Sequence, residues 1–220
     1  MKIILASHNS SKLTEFRTLV KGYPVSILGL QDIGFEQKTE ETGDTFDENA
    51  LIKAKAVRSV TNDIVMADDS GLCVDALDGA PGIMSARFGG LGIGDDDKNT
   101  RLLDLLEKMG DVDRTAAFHC SLAVIFPDGR QELFSGVCRG TIAKEPKGTN
   151  GFGYDPVFIP AGERRTLAEM KEGEKHAISH RGKAVRAFLC ALFTDCVPEA
   201  SSQTFECSEP SHSRKEVGGG

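Results

Sequence analysis

Three observations predict an α/β fold built on a mixed β-sheet. A β-branched run, Lys2 to Ala6, leads through a polar turn into a helical pattern, so the chain opens as strand, turn, helix. Further helical segments alternate with short apolar runs, an order that calls for crossover connections between parallel strands. Residues 115–126 and 130–142 are strand-like and joined by Pro127-Asp128-Gly129, a hairpin signal that requires an antiparallel pair.

Taken in order, Leu13, Phe16, Leu19 and Val20 recur with helical spacing, with Asn9, Ser10 and Ser11 as cap candidates and Gly22 as the stop. A second helix is expected over 45–60, with Phe46, Ala50, Ala54 and Val57 on one face and Asp44 as its N-cap. Asp63 to Ala67 reads as a buried strand that ends in Asp68-Asp69-Ser70-Gly71. A third helix follows Asp95 to Asp97, carries Leu102, Leu103, Leu105, Leu106 and Met109, and closes at Gly110. Gly148 to Gly153 is a glycine-rich loop before the apolar run Val157 to Ile159. The last helix begins near Ser179 and presents Val185, Phe188, Leu189, Leu192 and Phe193. Residues 1–195 thus form the folded domain, and 196–220, serine-rich and aperiodic with a Gly-Gly-Gly terminus, read as a disordered tail.

With 26 basic and 33 acidic residues the 220-residue chain carries a formal charge of −7. That balance argues against a broad nucleic-acid or membrane-surface binder, which needs a basic field, but leaves room for a small polyanion met by a few local cations. The six cysteines include no C-x-x-C pair and read as small core residues of a protein in a reducing compartment. Only four apolar residues follow Lys2, too few for a signal-peptide core, so a cytoplasmic location is expected.

Four groups of residues carry candidate chemistry. Ser7, His8, Asn9, Ser10, Ser11 and Lys12 stand between the first strand and helix, where free amides and a lysine can cradle phosphate; a plain cap with a solvated lysine is the alternative. Glu40 and Glu41 precede the second helix, and Asp68-Asp69-Ser70 follow a buried strand. Adjacent carboxylates there call for cations, and a hard metal such as Mg²⁺ suits them, against the alternative of an acidic turn. Phe152, Gly153, Tyr154 and Asp155 close a glycine-rich loop in which an aromatic could stack on a base and Asp155 could accept from a ring N–H. Lys175, His180 and Arg181 flank the start of the last helix, where cations oppose the helix dipole and so point to an anionic or oxo-bearing ligand. Lys53 adds a cation near Glu41.

Phosphate-loop, dinucleotide-fold, zincin and nucleophile-elbow motifs are missing from the sequence. His176 and His180 are four residues apart, but Ser179 reads as a cap that divides them between two helices.

Read together and in order, S-H-N-S-S-K, E-E-T-G-x-T-F-x-E-N-A-x-x-K-A, A-D-D-S-G-L-x-V-D-x-L-x-G-A-P-G-I-x-S-A-R, G-T-N-G-F-G-Y-D-P-x-F and A-I-S-H-R-G-K-A closely resemble the inosine triphosphate pyrophosphatase family, also called dITP/XTP pyrophosphatases. The resemblance covers about residues 1–195. It implies an elongated mixed sheet flanked by helices, two lobes with a nucleotide-binding cleft, and a homodimer. The implied activity is Mg²⁺-dependent hydrolysis of ITP, dITP or XTP to the monophosphate and pyrophosphate. By the same resemblance Ser7 to Lys12 contact the triphosphate, and Asp69 is proton acceptor and metal ligand. Glu40 or Glu41, with Glu41 favoured, is the second metal carboxylate; Ser70 contacts substrate, and Phe152 to Asp155, Lys175, His180 and Arg181 recognise the base. Many relatives have Thr and Gly where this chain has Ser7 and His8, and His8 narrows the backbone freedom of the loop.

Mechanistically, Asp69, or Asp68 beside it, is expected to take a proton from the attacking water, with Lys12 and Lys53 stabilising charge on the phosphates. Two other functions fit parts of the pattern: a Maf-type pyrophosphatase acting on pyrimidine or modified nucleotides, and a non-catalytic nucleotide-binding protein.

Overall fold

The computed structural model describes residues 1–90 and 92–193; the expected tail, 196–220, lies outside them. One six-stranded sheet organises the described residues in the order β2-β1-β3-β4-β5-β6. Strand β1 (Lys2–Leu5) lies parallel to β2 (Ser26–Leu28) and to β3 (Ile64–Val74). Strands β4 (Thr115–Ile125), β5 (Gln131–Ile142) and β6 (Phe158–Pro160) continue antiparallel. The sheet is mixed, as expected, because the crossover half and the hairpin half meet at β3.

Among the described residues five helices flank it: α1 (Ser10–Leu19), α2 (Phe46–Arg58), α3 (Asp95–Lys108), α4 (Glu172–Ile178) and α5 (His180–Leu192). Asn9 caps α1 by accepting from Lys12 N at 3.0 Å, and Ser179 caps α5 by accepting from Gly182 N at 3.0 Å. The cap of α2 is Thr45 and not the expected Asp44. Its hydroxyl accepts from Glu48 N at 3.1 Å while the Glu48 carboxylate accepts from Asp44 N at 2.7 Å, so the hydroxyl residue wins the inner position.

A second difference matters more. The strand expected to stop at Ala67 runs on to Val74, so Asp68-Asp69-Ser70 lie in mid-strand. Strand β1 covers β3 only from Ile64 to Met66, whereas β4 pairs with it from Val65 to Val74. The polar residues therefore begin where one neighbouring strand ends, which a linear reading mistakes for the end of the strand itself.

Residue alternation along the strands builds a core on each side of the sheet. On one face Ile3, Leu5, Met66 and Leu122 pack with Phe16 of α1 and with Val185 and Phe188 of α5. On the other Ile4, Val65, Ala67 and Ala123 pack with Ala50, Ala54 and Val57 of α2. A third core gathers at the far end, where Leu72, Val74 and Phe118 meet Leu102 and Leu106 of α3 and Phe158 of β6. The 11 residues of β4 span about 36 Å, so the sheet is long, with packed ends and a polar interval at Asp68 to Ser70.

Candidate active site

Because alternate side chains leave opposite faces of a strand, Asp68 and Asp69 do not share a pocket. Asp68 follows Met66 onto the α1/α5 face, and Asp69 follows Ala67 onto the α2 face.

On the α2 face, Lys53 binds three oxygens: Glu41 Oε1 at 2.8 Å, Asp69 Oδ1 at 2.6 Å and the Asp68 carbonyl at 2.9 Å. Arg87, at the end of a 3₁₀ turn over Gly82–Arg87, donates to Glu41 Oε2 at 3.1 Å. That turn is fixed on β3 by Ser85, whose hydroxyl accepts from Leu72 N at 2.9 Å. Burial raises the Asp69 carboxyl above the ordinary aspartate range, and Lys53 offsets only part of that. Burial also acts to raise Glu41, but there Lys53 and Arg87 outweigh it and hold the group below its usual range. Asp69 is thus the more basic of the two carboxylates, as a proton acceptor should be. Glu40 is exposed and stands outside this cluster.

On the other face Asp68 is fully buried and fully engaged. Arg181 donates to its Oδ2 through Nε at 3.1 Å and Nη2 at 2.9 Å, Lys12 Nζ lies 2.9 Å from the same atom, and the Ser70 hydroxyl and Cys120 thiol serve Oδ1. Burial would raise this carboxyl, yet Arg181 and Lys12 hold it well below the aspartate range. A carboxylate so placed is a poor base, which removes Asp68 as an alternative to Asp69 in proton transfer.

Arg181 also donates to Glu15 Oε2 at 2.6 Å, so the guanidinium is satisfied inside the protein. The expectation that a cation at this helix start needs an external anion is corrected for Arg181: Asp68 and Glu15 supply it. Lys175, in the last turn of α4, is likewise paired, 2.7 Å from Asp155 Oδ2. The same oxygen accepts from Phe152 N at 2.9 Å, which closes the glycine-rich turn. Asp155 is therefore buried and braces the loop, in place of the expected contact with a ring N–H. Tyr154 is buried in the α3-side core with its hydroxyl on the Ser85 carbonyl at 2.9 Å. Phe152 remains the loop's aromatic, its ring 4.9 Å from Lys175 Nζ and 5.6 Å from the Arg181 guanidinium carbon. Gly153 beside it has φ 65°. His180 stacks on Phe118 at 4.6 Å, is kept neutral mainly by burial, and has an Nδ1 without a partner among the described residues.

At the end of β1, the Ser10 and Ser11 amides lie in the first turn of α1, where no helix carbonyl reaches them. Ser7 Oγ accepts from Asn9 N at 3.2 Å, and His8 Nε2 lies 3.1 Å from the Gln37 carbonyl. Asp78 alone among the described non-glycine residues has a positive φ, so His8 fits the loop without left-handed strain.

Among the described residues no three His, Cys, Asp or Glu side chains converge to hold a metal. Glu41 and Asp69, two hard carboxylates joined by Lys53, suit Mg²⁺, which takes one or two protein carboxylates and completes its shell with substrate phosphates and water. The sequence reading missed Glu15, Arg87, Asp95 and Asn99, the last two bonded to Gly153. Glu15 left one signal: it is the sole acid in α1 and precedes the core residue Phe16.

A family model described as the Ham1 family matches residues 3–191. A dITP/XTP pyrophosphatase of Streptomyces coelicolor is 47% identical over 191 residues, covering 86% of this chain and 95% of its own. One of Bacillus licheniformis is 44% identical over 191 residues, covering 87% of this chain and 97% of its own. Among solved structures, a HAM1 protein from Coxiella burnetii superposes with a TM-score of 0.80 at 41% identity, covering 88% of this chain and 99% of its own.

Proposed function

This chain belongs to the Ham1 family, and from that premise we propose that it hydrolyses non-standard purine nucleoside triphosphates (dITP, ITP and XTP) to the monophosphate and pyrophosphate. The observation that carries the reading is the cluster of Glu41 from the loop before α2, Lys53 of α2 and Asp69 of β3, with Lys12 of α1 near enough to act on both carboxylates. It supplies a base and phosphate-facing cations in one place. The curated relatives named dITP/XTP pyrophosphatase support the purine substrate over the pyrimidine one.

Lys12 and the Ser10 and Ser11 amides hold the phosphates. Asp69 takes the proton of the attacking water at Oδ2, the oxygen that Lys53 leaves open. Lys53 keeps Asp69 and Glu41 together although both are acidic, and its ammonium offsets charge that grows on the leaving group. Glu41 and Asp69 would hold Mg²⁺, which would supply charge neutralisation at the phosphates. At the base, the unpartnered Nδ1 of His180 supports recognition of a 6-oxo group; with the proton on that nitrogen, an adenine amino group there meets a donor with a donor. Ser70 stays on the Asp68 side and keeps Arg181 in place. We extend the reading to a homodimer in the cytoplasm with a nucleotide partner, no nucleic acid and no membrane. The acidic balance supports the absence of a nucleic-acid partner, and no described helix is long and apolar enough to cross a membrane.

The test is a panel of dITP, XTP, dGTP, dATP and dTTP with pyrophosphate and orthophosphate read separately, with and without Mg²⁺. Pyrophosphate from dITP and XTP, abolished by chelation, is expected. Orthophosphate as product, or tight dITP binding without turnover, overturns the reading.

A further inference from the structure

We propose that Asp95 and Asn99, side by side on α3, are positioning residues that fix the Phe152–Gly153 loop and so set which purine the enzyme accepts; the inference rests on the function proposed above.

Both polar groups of the Gly153 backbone are held from the same helix. Asp95 Oδ2 accepts from Gly153 N at 2.7 Å, and Asn99 Nδ2 donates to Gly153 O at 3.0 Å. The spacing of four places both side chains on one face of α3. Asp95 is steadied in turn by Lys98, 2.7 Å from its other oxygen.

Asn99 shows what the arrangement is for. It is buried, yet its single side-chain hydrogen bond among the described residues goes to Gly153, and its Oδ1 has no partner. Burying an amide with half its capacity unmet does not serve the helix or the core. Turning the amide over would set oxygen against the Gly153 carbonyl, so this bond alone fixes its orientation.

The clamped residue adjoins the aromatic of the loop. Phe152 precedes Gly153, its own amide is fixed by Asp155, and its ring lies near both Lys175 and Arg181. The turn is thus braced by Asp155 within the loop and by α3 from the other side. Guanine shares the 6-oxo group with hypoxanthine and differs by its 2-amino group. Donors aimed at the oxygen cannot reject it, whereas the position of the loop against the ring can.

Asp95→Ala and Asn99→Ala, with Asp95→Asn as the conservative variant, test this through two readouts, with melting curves to verify folding. In hydrogen exchange without nucleotide, peptides spanning Gly153 should exchange faster in Asp95→Ala and keep wild-type protection in Asp95→Asn. In turnover, the ratio of kcat/KM for dITP over dGTP should fall about tenfold in each alanine variant, with kcat on dITP within about threefold of wild type. Asp95→Asn should hold the wild-type ratio. Unchanged exchange in Asp95→Ala, an unchanged ratio, or losses equal for both substrates would overturn the positioning role. Wild-type protein that releases no pyrophosphate from dITP would instead overturn the function on which it rests.

Discussion

Asp68 and Asp69 are adjacent and chemically identical, and the structure predicts opposite outcomes for the same substitution at each. Asp68→Asn removes the buried charge that Arg181 and Lys12 face, leaving the guanidinium with Glu15 as its one carboxylate partner among the described residues. Breaking a buried ion pair by neutralising one partner costs about 3–5 kcal/mol. At about 2–4 °C per kcal/mol for a domain of this size, that is a fall in Tm of about 6–20 °C. Asp69→Asn removes a carboxylate whose charged form the fold disfavours, since burial has raised its pKa. Lys53 keeps Glu41 and the Asp68 carbonyl as partners. Its stability should therefore fall by less than that of Asp68→Asn, while loss of the base lowers kcat by about 10²–10⁴. Circular-dichroism melts and pyrophosphate release on purified proteins measure both quantities. The reasoning is refuted if Asp68→Asn melts within 2 °C of wild type, on the scale just given, or if Asp69→Asn keeps wild-type turnover.

Acid should destabilise the protein in two windows. Asp68 and Glu15 have folded pKa values below their unfolded ones, so their stabilisation is complete above about pH 4.5 and is lost as pH falls further. His180, depressed by burial, loses its contribution as pH falls below about 6.5, the ordinary imidazole range, because only the unfolded imidazole then takes up a proton. Urea titrations across this range should show both slopes, and His180→Gln should flatten the upper one. Lys53→Met should lower kcat by about 10²-fold or more and move the acid limb of the kcat profile to higher pH, since Lys53 lowers the Asp69 pKa; a fixed limb would count against the pairing. Gly136→Ala should destabilise by about 1–3 kcal/mol and reduce turnover, because a Cβ there would stand 2.0 Å from the His180 carbonyl and push back the start of α5; a wild-type melt would contradict that packing.

Much of this was legible in the sequence where local chemistry dictates structure. The hairpin about Pro127-Asp128-Gly129 has strands Thr115–Ile125 and Gln131–Ile142, within a residue of the expected bounds. Asn9 and Ser179 cap the helices expected of them. What failed to show was pairing between distant segments. Nothing local tells that β4 outlasts β1 beside β3, so Asp68 and Asp69 looked like one acidic pair at a strand end. Nor could helix spacing show that Glu15 would turn inward to Arg181, 166 residues away. Asp155 and Tyr154 carry groups fit for a ligand, and only the fold commits them to Lys175 and Ser85.

The cations of the site are best described by their partners. Lys12, Lys53, Arg87, Lys175 and Arg181 stand against Asp68, Asp69, Glu41, Asp155 and Glu15 at 2.6 to 3.5 Å, so the site is balanced before any ligand arrives. A site of that kind is not a ready cradle for a polyanion. A triphosphate must draw Lys12 or Lys53 away from a carboxylate, and each cation so drawn leaves a negative group behind it in a partly buried place. The two outcomes differ by face. Lys12 can leave Asp68, because Arg181 still neutralises it from two nitrogens. Lys53 cannot leave so easily, because Asp69 has no other cation bonded to it among the described residues. On the proposed function, Asp69 and Glu41 would hold a divalent ion that supplies the charge Lys53 gives up to the phosphates, so nucleotide affinity should depend on that ion. Calorimetry of a non-hydrolysable dITP analogue should accordingly give affinity that rises with Mg²⁺ in wild type and loses most of that dependence in Asp69→Asn. Equal affinity with and without the ion would mean that Lys53 never leaves its carboxylates.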